Sequence, residues 1–207
     1  MVMNPILACQ DKLLRVLNND GKTSLYTHQF EAACVTISQA PELSARQSPI
    51  IGYGLSNGEI GVIELMRGQP SVQWSLEVGQ LTDSSPVSMV KACSLGKQAQ
   101  PKPKRDNSLD ALADESEPEP CDLIVARDNG KIEIYSYQFG NPFPTLCFEN
   151  QIKNTITGID VGHVTMANSK DIILACYDGK ILALVDSKKF KRQGIMGQEN
   201  QNEIENV

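Results

Sequence analysis

The sequence predicts an all-β protein, and three observations carry that prediction. One hairpin pattern recurs four times, as PILACQDKLLRVL (5–17), IIGYGLSNGEIGVIEL (50–65), DLIVARDNGKIEIYSY (122–137) and DIILACYDGKILALV (171–185). Three copies turn on Asn57-Gly58, Asn129-Gly130 and Asp178-Gly179, the dipeptides that a two-residue type I′ turn favours because both central residues need φ > 0. The first copy turns on Gln10-Asp11 and has no glycine. Finally, the residues after the turns, Lys12, Glu59, Lys131 and Lys180, lie 47, 72 and 49 apart, and removing the 24 unusual residues 97–120 brings the middle interval to 48. That period is close to the roughly 40–50 residues of a four-stranded propeller blade. The expectation is a partial β-propeller of about three and a half WD40-like blades over 5–190, followed over 191–207 by a linker and the start of a coiled-coil helix.

Each element follows from its local pattern. Residues 5–17 give a hairpin, and after Asn18-Asn19-Asp20-Gly21 a third strand over 24–30 alternates Leu25, Thr27 and Gln29 with Tyr26, His28 and Phe30. The next blade opens with a strand over 31–38, continues through the 50–65 hairpin and ends on 71–78, where Val72, Trp74, Leu76 and Val78 are expected on one face. Residues 87–95 open the third unit, whose hairpin is followed by an outer strand over 145–148; residues 155–161 open the fourth. The hairpin runs are nearly continuous in apolar residues, which suits strands covered on both faces. No outer strand is evident after 185, where the chain reads KKFKR.

Residues 97–120, KQAQPKPKRDNSLDALADESEPEP, are basic in the first half, acidic in the second and rich in proline. Such a stretch cannot bury enough apolar surface to offset its ordering entropy, so a disordered insertion between two strands is expected. A docking motif, or phosphorylation at Ser108 or Ser116, is the alternative use. The terminal QENQNEIENV sets Ile204 and Val207 three apart, a spacing that suits the first positions of a partner-helix seam.

The 207 residues are 41% hydrophobic and carry a net charge of -6, which argues against nucleic acid as the main partner. No stretch approaches the ~18 apolar residues of a membrane span, and the amino terminus lacks a basic n-region, so a cytosolic address is expected. The six cysteines lie far apart without a C-x-x-C pair and read as small buried hydrophobes, with no disulfide and no zinc assigned. An enzyme would need a nucleophile with its base, paired carboxylates, a metal cluster or a phosphate-cradling loop; none is recognisable, and His28 and His163 have no metal-spaced partner. A calcium-binding propeller is weighed on the stretch from Asp160 to Asp171, but one aspartate at each end supplies too few oxygen ligands. No catalytic, metal or cofactor-binding residue is assigned. A ligand- or calcium-binding propeller is kept as the alternative reading.

Taken together, Ile6 to Leu17, IIGYGLSNGEIGVIEL, DLIVARDNGKIEIYSY and DIILACYDGKI resemble the carboxy-terminal half of the amino-terminal β-propeller of the Bardet-Biedl syndrome 7 family, subunits of the BBSome. The resemblance implies a non-enzymatic scaffold in a coat-like complex that moves membrane-protein cargo to and from cilia. It further implies partnership with other BBSome subunits, especially the Bardet-Biedl syndrome 2 protein through a coiled coil that begins near Ile204 and Val207. Cargo would be reached indirectly, without nucleic acid, in the cytoplasm, the cilium and the ciliary basal body. The family propeller has seven blades, so this chain is expected to be a fragment of a longer protein or half of a split propeller.

Overall fold

A computed structural model describes residues 4–40, 48–66, 69–81, 83–95, 120–139, 141, 143–165 and 170–185. Fourteen strands among these residues form four antiparallel sheets. Blade 1 holds β1 (Ile6–Ala8), β2 (Leu13–Leu17) and β3 (Ser24–Gln29). Blade 2 holds β4 (Cys34–Gln39), β5 (Ile50–Leu55), β6 (Ile60–Met66) and β7 (Gln69–Leu76). Blade 3 holds β8 (Val87–Cys93), β9 (Cys121–Arg127), β10 (Lys131–Tyr137) and β11 (Thr145–Gln151). Blade 4 holds β12 (Ile156–Gly162), β13 (Asp171–Cys176) and β14 (Ile181–Leu184). Every sheet is a meander in chain order, which is the blade topology the repeat predicts. The 14 strands amount to three and a half blades of four.

Blades pack face to face, and the core consists of three joints. Leu14, Val16 and Phe30 meet Ile51, Tyr53, Leu55 and Ile63 in the first. Ile50, Ile60, Val62 and Trp74 meet Val87, Leu123, Val125 and Tyr135 in the second, and Ile124, Ala126 and Ile132 meet Ile156, Ile172, Leu174 and Leu182 in the third. Alternate side chains of one strand therefore enter different joints: on β5 the odd-numbered Ile51, Tyr53 and Leu55 face blade 1, and the even-numbered residues face blade 3. This is why β5 and β9 are buried along their whole length and read as nearly continuous apolar runs, with Asp122 and Arg127 as the charged exceptions in β9. Two of the even positions are Gly52 and Gly54. A Cβ on them would lie 2.3 Å from Leu123 Cδ1 and 2.4 Å from Val87 Cγ1, so glycine makes the hollow that the next blade fills.

Two β-bulges recur at equivalent places. The innermost strands each skip one residue, Val35, Ser88 or Thr157, in their pairing with the second strand. The outermost strands skip Leu25, Gln73 and Cys147. The outer bulge overturns the expectation that Val72 and Trp74 share a face. Trp74 lies opposite Val62 and is buried against blade 3, whereas Val72 lies opposite Ile63 and is 42% exposed. The extra residue resets the alternation by one position, moving everything beyond it to the other face. Leu76 stays with Trp74, while Val78 leaves the strand in a 3₁₀ turn over Val78–Gln80. Residues 97–119, which contain nearly all of the expected insertion, and Ile204 and Val207 of the expected helix lie outside the described residues.

Candidate functional site: the hairpin turns and the blade joints

The hairpin turns lie at one end of the joints, and their geometry differs from a type I′ turn. The amide of Gly58 donates to Leu55 O, that of Gly130 to Arg127 O and that of Gly179 to Cys176 O, so each glycine closes a turn as its last residue. Only the glycines have positive φ (93°, 85° and 85°); Asn57, Asn129 and Asp178 do not. These are three-residue loops, a type I turn followed by a left-handed glycine in a G1 bulge. The asparagine or aspartate has a different task. Asn57 Oδ1 accepts the Glu59 amide at 3.1 Å, Asn129 Oδ1 the Lys131 amide at 2.9 Å and Asp178 Oδ1 the Lys180 amide at 3.2 Å. Each is an Asx turn that ties the residue to the start of the next strand.

The first copy obeys the same rule without glycine. Asp11 Oδ1 accepts the Leu13 amide at 3.2 Å, and Lys12 takes the left-handed place with φ 68°. Lys12 is therefore the counterpart of Gly58 rather than of Glu59, and the left-handed residues 12, 58, 130 and 179 are 46, 72 and 49 apart. Arg15 donates from both terminal nitrogens to the Asp11 carboxylate, holding it below its ordinary pKa.

The turns of blades 2 and 3 are covered by the linkers that lead into the following blades. A Cβ on Gly58 would lie 2.7 Å from Ser84 O, and one on Gly130 would lie 2.3 Å from Ile152 O and 2.8 Å from Asn154 O. A Cβ on Gly179 would meet nothing within 4 Å. Polar side chains reinforce the cover. Asn129 Nδ2 donates to Asp83 Oδ2 at 2.7 Å and to Ser85 Oγ at 3.0 Å. Asn154 Nδ2 donates to Asp178 Oδ2 at 2.8 Å, and Thr155 Oγ1 donates to Asp128 O at 3.1 Å. Burial pulls the Asp83 carboxyl upward, but its bonds from Ser85 and Asn129 outweigh that and hold it down at about 2.

The joint between blades 2 and 3 also holds a buried ion pair. Arg127 Nε donates to Glu133 Oε2 at 2.7 Å, with both side chains fully buried. Arg127 Nη1 reaches Gly58 O at 3.1 Å and Ser85 O at 2.8 Å. Lys131 Nζ lies 3.1 Å from both Glu133 Oε1 and Glu149 Oε2. Burial, and next the Glu133 charge, push the Tyr135 hydroxyl up to about 12. Sequence reasoning missed this group. Its signal was two opposite charges set inside apolar runs, three residues either side of Gly130.

The innermost strands are stitched side by side. Thr36 Oγ1 accepts the Val90 amide, Ser38 Oγ accepts the Ala92 amide, and Lys91 Nζ lies 2.7 Å from Asp160 Oδ1. The two acids weighed for calcium are thus engaged by the protein. Lys91 takes Asp160, while Asp171 Oδ2 accepts the amides of Val164 and Thr165 and the Thr165 hydroxyl. Of the six cysteines, Cys34, Cys93, Cys121 and Cys176 are buried, Cys9 is half-buried and Cys147 is exposed.

Blade 4 presents a face without a neighbour among the described residues. Ile181 is 59% exposed and Ala183, Ile173 and Ala175 are partly exposed. Gly158 and Gly162 lie on the same side of the sheet, with only Ala175 Cβ and Ile173 Cδ1 of their own blade near. This face repeats the glycine hollows that Gly52 and Gly54 offer to Leu123 and Val87.

Consecutive antiparallel meanders of three or four strands, packed face to face in chain order, define a β-propeller. The family model "BBS7 beta-propeller" matches residues 1–186, and the chain belongs to that family. It is similar to the mouse "BBSome complex member BBS7", 25% identical over 210 residues, covering 99% of this chain and 26% of that protein. It is also similar to the Caenorhabditis elegans "BBSome complex member bbs-7", 21% identical over 187 residues, covering 89% of this chain and 22% of that protein. The chain thus spans about a quarter of the length of the curated relatives it matches. Among solved structures it is similar in fold to BBS1N, crystallised in complex with ARL6DN, with TM-score 0.55 and 15% identity over 87% of this chain and 43% of that one. Saccharomyces cerevisiae Sqt1 gives TM-score 0.55 and 19% identity over 87% and 40%.

Proposed function

We propose that this chain is part of a larger β-propeller in a non-enzymatic BBSome subunit, and that it works by protein–protein contact. Match to the family over residues 1–186 carries the reading. The propeller would occupy 5–190 and a linker and helix would follow, with Ile204 and Val207 as first seam positions toward the Bardet-Biedl syndrome 2 protein. Trafficking of membrane-protein cargo, reached through the other subunits, and residence in cytoplasm, cilium and basal body are part of the same proposal. The face of blade 4 that has no neighbour among the described residues supports the partial ring. Its glycines and exposed Ile181 resemble the side of blade 2 that receives blade 3, where Gly52 and Gly54 take Leu123 and Val87.

Isolation of the tagged chain from ciliated cells of its own source tests the proposal. The expected result is co-isolation of BBSome subunits in a large particle, with loss of that particle when Ile181 is changed to Asp. Recovery of the chain alone as a stable monomer would overturn the proposal.

A further inference from the structure

The three joints share one plan, yet the middle one is built around charge. Three residues before the left-handed position stand Cys9, Leu55, Arg127 and Cys176, and three after it stand Arg15, Gly61, Glu133 and Leu182. Blade 2 and blade 4 fill these places with groups that are apolar or lack a side chain, and Leu55, Cys176 and Leu182 are buried. An apolar pair therefore fits the site. Buried ion pairs are commonly no more stabilising than the apolar groups that could replace them, so stability does not account for Arg127 and Glu133.

A second difference lies in the neighbour. In blades 1 and 3 the carbonyl of the left-handed residue accepts an amide from the end of its own outer strand, Phe30 N to Lys12 O and Ile152 N to Gly130 O. In blade 2 the chain leaves β7 after Leu76, and Glu77 caps the Val78–Gln80 turn instead. Gly58 O is thereby left to accept Arg127 Nη1 from blade 3, and Ser85 O accepts the same nitrogen. One blade diverts its strand and the next supplies the donor.

We propose that Arg127 is an addressing residue, which selects for blade 3 the turn of blade 2, whose Gly58 carbonyl receives it, over the turn of blade 1, whose Lys12 carbonyl is engaged by Phe30 N. At a turn whose left-handed residue's carbonyl accepts its own outer strand, that strand's backbone occupies the approach, so Arg127 Nη1 would be short of one of its two carbonyl acceptors and the pairing is disfavoured. The ion pair with Glu133 aims the guanidinium and carries no further role in recognition.

The chain contains a single tryptophan, Trp74, and it lies in this joint, so the joint reports on itself. The variant Arg127→Met/Glu133→Leu is expected to keep its urea midpoint while losing unique packing. Its near-ultraviolet circular dichroism should fall by at least half, its Trp74 emission should become multi-component, and amide exchange at Val90 and Ala92 should rise at least tenfold. Arg127→Lys, which keeps the charge on Glu133 but not the reach to both carbonyls, should show the same spectral heterogeneity with cooperative unfolding. A double variant that keeps the wild-type Trp74 signal and exchange overturns the proposal. So does a double variant that fails to fold while Arg127→Lys keeps the wild-type signal, because the pair would then act through stability.

Discussion

Gly130 and Gly179 share the same φ and the same Asx turn, and they differ in what lies above them, which allows closure of a joint to be measured with one methyl group. In Gly179→Ala the left-handed backbone costs an L-residue about 1–2 kcal/mol, and the reduced freedom of the unfolded chain returns about 0.4–1, for a net loss of about 1 kcal/mol. Gly130→Ala bears the same loss and also drives Cβ to 2.3 Å from Ile152 O and 2.8 Å from Asn154 O. Those oxygens belong to backbone and cannot rotate away, so overpacking adds about 1–3 kcal/mol and the total is about 2–4. With a urea slope of about 2 kcal/mol/M, the midpoint falls by about 1–2 M for Gly130→Ala and about 0.5 M for Gly179→Ala. Equilibrium urea unfolding followed by circular dichroism reads both. Equal losses would refute the reasoning, since backbone conformation alone would then set the cost. The comparison also extends to the assembled particle. If a further blade lays its linker over the fourth turn, Gly179→Ala in the complex should become as harmful as Gly130→Ala.

Lys12→Gly should stabilise the chain by about 1 kcal/mol, because Lys12 is the one non-glycine residue with positive φ among those described; a lower melting temperature would show that its side chain compensates elsewhere. Asp83 has a native pKa depressed from 3.8 to about 2, so it contributes stability that is complete above about pH 5 and is lost as pH falls through 3.8 toward 2. Solvent screening keeps that contribution to about 1 kcal/mol or less, and acid titration of Asp83→Asn against the parent chain should show the difference narrowing across this window. Trp74→Ala should cost about 3–5 kcal/mol, whereas Phe148→Ala, at the equivalent place but 38% exposed, should cost about 1; denaturant midpoints distinguish them, and similar losses would count against the blade 3–4 joint as described.

Much of the fold was legible because the strongest signals were local. The apolar runs around Asn57-Gly58, Asn129-Gly130 and Asp178-Gly179 located the hairpins, and their lack of alternation told that both faces of β5 and β9 are covered. The turn type was not legible, because Asn-Gly serves two different hairpins: in one asparagine supplies φ > 0, and in this one it supplies a side-chain acceptor. Lys12 hid the phase of the first copy for the same reason, since only pairing reveals that Asp11 stands in the asparagine position. Arg127 and Glu133 went unread because a charge inside a strand carries no mark of what lies across the joint; Gly58 O and Ser85 O come from 69 and 42 residues away.

The outer bulge has a consequence for how such chains can change. At Gln73 the strand absorbs a single surplus residue: Val72 and Trp74, two apart in sequence, take the opposite faces that adjacent residues would take in unbroken pairing. Deletion of Gln73 would set Trp74 next to Val72 in unbroken pairing, with Val72 still opposite Ile63 and Trp74 still opposite Val62, and would keep the ring in the joint it shares with Tyr135 and Tyr137. Among descendants of such a repeat, gains and losses of one residue in the outer strands should therefore collect at the bulge, and elsewhere in those strands they should be rare.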